Sequence, residues 1–268
     1  MPKVLDKINS ASGSPEAKAK KGKAKMRKAK MRKAEYHHGD LRKALIDAAL
    51  KMLEKTPPSQ LSMRELARSV NVSSAARFRH FKNKDELLAA ISQQGFEIKK
   101  QFMLQAIEGA KGDPLQMYLG CGLAYFRMGL KYPQHFKLMM TSEVHPRQDK
   151  PDLALAAVKS FVVVRDMVES CQKKNKNKAL LGQGDSYQLA LMCWSLVHGF
   201  TILYADERLG WLGVNEKNAE TLLTVLLQQF LKGAITPLLK IEKEFALFND
   251  HESKTYLDLM ESLRGERR

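Results

Sequence analysis

Residues 62–81, SMRELARSVNVSSAARFRHF, decide the fold. Ser62 stands ahead of an apolar-periodic run with Glu65 three residues on, a pairing that satisfies the free N–H groups at a helix start. Leu66, Ala67 and Val70 then share the inner face of a short helix. The run breaks at Asn71-Val72, and Ser73 caps a further helix ending near Phe81. Two short helices joined by so tight a break, braced by a longer one, form the unit that lays its last helix in a DNA major groove. That last helix is too short and polar to be stable alone. Leu66, Val70, Val72 and Phe81 are placed to close a small core with Leu45 and Ala48, which leaves one face free.

Upstream, Leu41, Ala44, Leu45, Ala48, Ala49, Met52 and Leu53 recur at three-and-four spacing, so residues 40–55 form a helix that stops at Pro57-Pro58. Downstream, Lys82-Asn83-Lys84 is a polar turn before a long helix over 84–109. Further helices are expected over 114–132, 133–140, 151–175, 186–207 and 215–232, with Pro237 ending or kinking the last. The tail beyond it has room for one amphipathic helix. No alternating strand pattern, hairpin signal or internal repeat is evident. The fold class is all-α: an N-terminal three-helix helix-turn-helix domain at 36–90 and a larger helical domain at 91–239, with an arm at 1–35 and a tail at 240–268.

Charge sharpens this division. The chain has 45 Lys and Arg against 29 Asp and Glu, a net +16 over 268 residues. Residues 1–35 hold 12 basic against 3 acidic side chains, residues 36–100 hold 12 against 7, and the remaining 168 hold 21 against 19. Positive charge is therefore concentrated where a polyanion would be met. Residues 18–33 are nearly all Lys, Ala, Met and Arg and cannot bury enough surface to order themselves. They read as a disordered basic arm that adds sequence-independent DNA affinity, the alternative being a solvated tail without a role. A membrane-surface helix lacks the apolar face to insert. No run of eighteen apolar residues and no signal-peptide pattern appears, so no membrane is expected. Cys121, Cys171 and Cys193 have no metal-ligand spacing and suit a reduced, cytoplasmic protein.

YHHGDLRKALIDAALKMLEK at 36–55, followed by LSMRELARSVNVSSAARFRHFKNKDELLAA at 61–90, resembles the DNA-binding domain of the TetR/AcrR family of bacterial regulators. The Val-Ser, aromatic-x-His-Phe and x-x-Lys pattern carries the likeness. It implies double-stranded DNA as partner, and helix N-termini at Ser62 and Ser73 that point at phosphates, with Arg64 beside the first. Ala75, Phe78 and Arg79 share one face, which should meet bases or the groove wall. Ser74 and Ala76 flank that stripe, and its alanines allow close approach or contact with thymine methyls. His80 and Lys84 occupy positions where the family contacts phosphates, an ordinary surface histidine being the alternative for His80. Three residues depart from the family pattern. Asn71 stands where Gly is common, and tolerates the left-handed turn. Phe78 replaces a Tyr and loses its hydroxyl. Arg77 occupies an apolar position, so its stem should pack inward and its head reach out to solvent, leaving open whether it reads a guanine.

CWSLVHGF at 193–200, with Tyr204 and Gly210-Trp211 beyond, resembles a C-terminal domain of some TetR-like regulators named for its Trp-His-Gly features. The family implies a homodimer through the last two helices, with Gly199, Leu223, Leu226, Leu227 and Phe230 at the contact. The face made by Leu222, Leu223, Leu226, Leu227, Phe230 and Leu231 is wider than an isolated helix needs. Two recognition helices about 34 Å apart would then read a palindromic operator. A pocket for an unknown small-molecule effector is sought among Tyr125, Phe126, Met128, Met167, Cys193, Trp194 and His198, each of which is equally well read as core. His198 fits an interface histidine as well as a ligand contact.

Enzyme readings find no support: there is no Ser-centred elbow, phosphate-binding glycine loop or HExxH, and His37-His38 lacks a third metal ligand. No cofactor or metal is expected. A ligand-responsive repressor is the leading reading. The alternatives are an architectural or low-specificity DNA binder without an effector, and an interaction protein whose altered recognition helix no longer reads DNA.

Overall fold

A computed structural model describes residues 38–140, 144, 149–173, 181 and 184–234. The expected basic arm and C-terminal tail, with Pro237, lie outside the described residues. Among those described, nine α-helices and two single 3-10 turns form the chain, with no strand.

The head comprises α1 (His38–Leu53), a 3-10 turn (Pro58–Gln60), α2 (Met63–Ser69) and α3 (Ser74–Phe78). Leu45, Ala49, Leu53, Leu61, Leu66 and Phe81 are its buried core, with Ala48 and Val70 half-buried against them. Arg42 on α1 lies 5.1 Å from the Phe81 ring centroid and covers that ring on the solvent side.

The body comprises α4 (Lys84–Gly109), α5 (Pro114–Lys131), α6 (Pro133–Met140), α7 (Pro151–Lys173), α8 (Ser186–Ala205) and α9 (Ala219–Ala234), with a 3-10 turn (Gly210–Leu212) between the last two. Asn83, Asp113 and Asp185 cap α4, α5 and α8, each accepting the N–H three residues on. α5 is the central helix, packed against α4, α6, α7, α8 and α9. α4 starts directly behind the recognition unit and runs into the body, so one helix belongs to both parts. α6 packs on α4 and also touches α1, giving the head a second connection. Gly95 permits the α4–α6 approach, since a Cβ there would lie 2.5 Å from Met139 Sδ.

The last helix begins four residues later than sequence periodicity places it, because Asn215 and Asn218 fold the preceding segment into a turn. Asn215 N donates to Asn218 Oδ1, and Asn218 Nδ2 donates to the Gly213 carbonyl. The apolar face of α9 is divided. Leu223, Leu227 and Leu231 are buried within the chain, while Leu222, Leu226 and Phe230 are half-buried. Arg127 on α5 holds Glu220 at the start of α9 in a two-pronged ion pair of 2.7 and 2.6 Å. α8 is long and apolar enough by composition to cross a membrane, yet only 33% of it is buried in the chain.

Candidate functional site

Both short helices of the head start on serine caps. Ser62 Oγ accepts from Glu65 N at 3.3 Å, and Ser73 Oγ accepts from Ala76 N at 3.1 Å. Between them α2 closes with Asn71 N donating to the Arg68 carbonyl and Val72 N to the Ala67 carbonyl. That pair of bonds requires a left-handed residue just past the helix end. Asn71, at φ 55°, supplies it.

α3 has no buried residue. Ser73, Ser74, Ala75 and Arg79 are exposed, Phe78 is 55% exposed, and Ala76 is half-buried. Regular helix stops at Phe78, not near Phe81, but Phe81 N still donates to the Arg77 carbonyl at 3.0 Å, so the path continues for another turn. Phe78 is the large apolar residue that α3 leaves in water, beside Ala75 and Arg79.

Arg77 corrects an expectation. Its head is half-buried and held by the chain itself: Nη1 donates to the Phe81 and Lys82 carbonyls at 2.9 and 3.2 Å, the second bond at the surface, and Nε is buried without a partner. The guanidinium closes the end of the recognition segment, where chain carbonyls need donors, and lies 5.8 Å from the Phe78 ring centroid. Lys84 is likewise engaged, donating from Nζ to the Ser59 carbonyl at 2.7 Å and pinning the start of α4 to the turn before α2. Arg64 is exposed on the first turn of α2, while Ser62 and His80 are half-buried.

His80 borders an open cleft of about 620 Å³ between the head and the start of α7, lined by Arg42, Asp85, Glu86, Asp149 and Asp152 among others. Its charged walls face water and lack the apolar enclosure of a small-molecule site. The body holds a different space, a cavity of about 20 Å³ among α4, α5, α7, α8 and α9. Of the expected pocket residues, Tyr125, Met167, Cys193 and Trp194 line it. His198 joins through Tyr125, whose Oη lies 2.9 Å from His198 Nδ1 and accepts from Trp194 Nε1 at 3.3 Å.

Phe126 and Met128 do not line the cavity. Phe126 packs on the Phe200 and Tyr204 rings, and Met128 is fully buried elsewhere in the core. Leu227 also departs from its expected place. It is buried, lines the cavity and lies against Gly122, where a Cβ would come within 2.8 Å of Leu227 Cδ1. Its carbonyl accepts from Tyr118 Oη at 3.3 Å. With Leu223 it turns into its own chain and not towards a partner. Gly199, by contrast, faces open space.

Lys99 on α4 is the feature that sequence reading missed. It is 4% exposed, and its ammonium lies 5.0, 5.5 and 5.7 Å from the ring centroids of Phe96, Tyr125 and Trp194. Burial lowers its pKa to about 7, with a small opposing effect from Cys121. Burial, and then Lys99 itself, lowers that of His198. The Cys121 and Cys193 thiols are pushed up to about 12 by burial, so neither is a ready thiolate. The signal in the sequence was spacing: Ser92, Phe96, Lys99 and Met103 fall on one helical stripe.

Residues 45–91 match the family described as bacterial regulatory proteins, tetR family, and residues 119–230 match the tetracyclin repressor-like C-terminal domain. The finer likeness to a Trp-His-Gly type of C-terminal domain is not confirmed by these matches. No curated protein matches the chain. A Rhodococcus sp. RHA1 protein of unknown function is similar at 28% identity and TM-score 0.64, over 75% of this chain and 98% of its own. The TetR-family regulator PfmR of Thermus thermophilus shares the fold at 17% identity and TM-score 0.55, over 70% and 97%. So does a tetR-family regulatory protein of Rhodococcus RHA1, at 17% and 0.53, over 72% and 96%. Head and body are matched separately and by the same family: the chain belongs to the TetR family of bacterial regulatory proteins, and its fold is that of a DNA-binding regulator.

Proposed function

We propose that the protein is a cytoplasmic, homodimeric transcriptional repressor that binds a palindromic operator and releases it when a small molecule occupies the body. The observation that carries this reading is the outward stripe of α3. Ala75, Phe78 and Arg79 face away from the core, at the end of a helix held only by its caps and neighbours. Ser62, Arg64, Ser73 and Ser74 lie at the two helix starts, where free N–H groups favour phosphate. His80 and Lys84 supply further polar groups at the edges. Dimerisation is supported by apolar side chains left in water on the last two long helices: Met192 and Leu203 on α8, Val225 on α9. The contact face is then Gly199 with Leu226 and Phe230, without Leu223 and Leu227. The exposed Met192 and Leu203 of α8 are accounted for by contact with a second copy.

Selection of bound sequences from a random duplex pool tests this reading. The expected result at physiological salt is a palindromic motif whose half-sites lie about 34 Å apart along the duplex. An architectural binder, favoured by the charge of residues 1–35, would yield no motif, and its hold on any duplex would fall away with salt. Deleting residues 1–35 should weaken binding to all duplexes alike.

A further inference from the structure

Between α8 and α9 the chain holds Trp211 83% exposed and, beside it, Leu212 58% exposed. The turn that carries them is internally bonded. Leu212 N and Val214 N both donate to the Leu209 carbonyl, and Gly213 N donates to the Gly210 carbonyl. The Gly213 carbonyl in turn accepts from Asn215 Nδ2 and Asn218 Nδ2. Leu209 and Val214, on either side, are half-buried against the core. Glu207 at φ 57° and Gly213 at φ 78° supply the left-handed bends, and at Glu207 that backbone carries a steric cost. A segment anchored at both flanks therefore holds an indole and a leucine side chain in water, where neither stabilises the single chain.

The place of this turn in the fold points to what covers it. A Cβ at Gly120, near the start of α5, would lie 3.5 Å from Ala106 Cβ near the end of α4, so α5 runs back towards the head. Thr201 of α8 lies against Gly129 near the end of α5, and Glu220 at the start of α9 is bonded to Arg127. The turn thus projects from the head-side end of the α8–α9 pair. We propose that Trp211 and Leu212 pack onto a second copy of this chain and carry the α8–α9 contact towards the DNA-binding heads. This rests on the homodimer reading. Met192, Leu203, Trp211, Leu212 and Val225 are five of the eight large apolar side chains exposed among the described residues, and all lie on α8, α9 or the turn between them. One buried tryptophan contributes about 150–250 Å², against about 800 Å² from each partner in a specific contact. A two-fold dimer makes that contribution twice. Asp206, Glu207, Arg208, Glu216 and Lys217 surround the pair as an exposed charged rim. Three of the five are acidic, which disfavours an anionic lipid surface as the occupant.

The chain has only two tryptophans, so Trp211 can be followed by its own fluorescence. The test is sedimentation equilibrium of full-length wild type, Trp211→Ser and Trp211→Phe over a dilution series, with acrylamide quenching of each. The difference between wild type and Trp211→Phe isolates the Trp211 emission. In the wild-type dimer that emission is expected to be quenched several times more slowly than N-acetyltryptophanamide, although the residue is open to water in the single chain. Trp211→Ser should raise the dimer dissociation constant about tenfold or more, and Trp211→Phe should recover part of the loss. A dimer whose Trp211 is quenched as fast as N-acetyltryptophanamide would overturn the inference and leave the homodimer reading standing. So would a dissociation constant unchanged in Trp211→Ser. A wild-type protein that is monomeric throughout the series would overturn both.

Discussion

α3 and α4 are separated by five residues and break opposite rules. α3 is a five-residue helix with no buried side chain, and it holds a phenylalanine out in water. α4 is a 26-residue helix with eight buried positions, and it holds a lysine inside. Each placement carries a local cost that folding alone does not require. The lesson is that function is sought where a residue type stands on the wrong side of the surface, apolar outside or charged inside.

The two phenylalanines of the head make the comparison strongest. Phe81, 2% exposed, is core, and Phe81→Ala should cost about 3–5 kcal/mol in urea denaturation and abolish operator binding with the head. Phe78→Ala, three residues earlier, should change stability by less than about 0.5 kcal/mol while weakening operator binding. Equal stability losses at the two positions would erase the distinction between core and contact.

Lys99→Met comes next, with the opposite sign. The folded pKa of Lys99, about 7, lies below that of an unfolded lysine, so across the interval between them only the unfolded chain holds the proton. Through this group, wild-type stability therefore rises with pH over that interval and is lowest below about pH 7. The methionine variant should be more stable by about 1–3 kcal/mol near pH 6. Near pH 9.5 the gain should be smaller, because the folded lysine is then already neutral. Urea midpoints of both proteins at both pH values check this, and a gain independent of pH would mean that the buried lysine is not charged.

Arg79→Ala should weaken operator binding by about 1–3 kcal/mol with stability unchanged, as read by fluorescence anisotropy and melting in parallel. Arg77→Ala should do the reverse, losing stability first, since its guanidinium is bonded to the Phe81 and Lys82 carbonyls. The smallest effect expected is at Asn71→Gly, a gain of about 0.5 kcal/mol from relieving a left-handed backbone.

The head was legible because its signals are local. Ser62, Ser73 and Asn71 act within three or four residues of themselves, and the structure uses each in the expected role. The anchoring of Arg77 was not foreseen because the carbonyls it bonds are created by the chain's own turn after α3, which periodicity does not describe. In the body, helix existence followed from spacing, but partner choice did not. Two adjacent apolar stripes on α9 look alike in sequence, and only packing on α5 sends Leu223 and Leu227 inward. Phe126 and Met128 have the composition of pocket residues, yet their helix phase turns them away from the cavity. Lys99 was hidden by a rule that is usually correct: lysines on helices face water. The buried stripe of Ser92, Phe96 and Met103 on either side of it was the countersign.

The central claim is that the outer stripe of α3 meets the duplex. Backbone amide shifts on titrating a selected operator at physiological salt measure this residue by residue. The account predicts the largest changes at residues 73–79, with smaller ones at the start of α2. Changes confined to residues 1–37, with α3 unmoved, would contradict it.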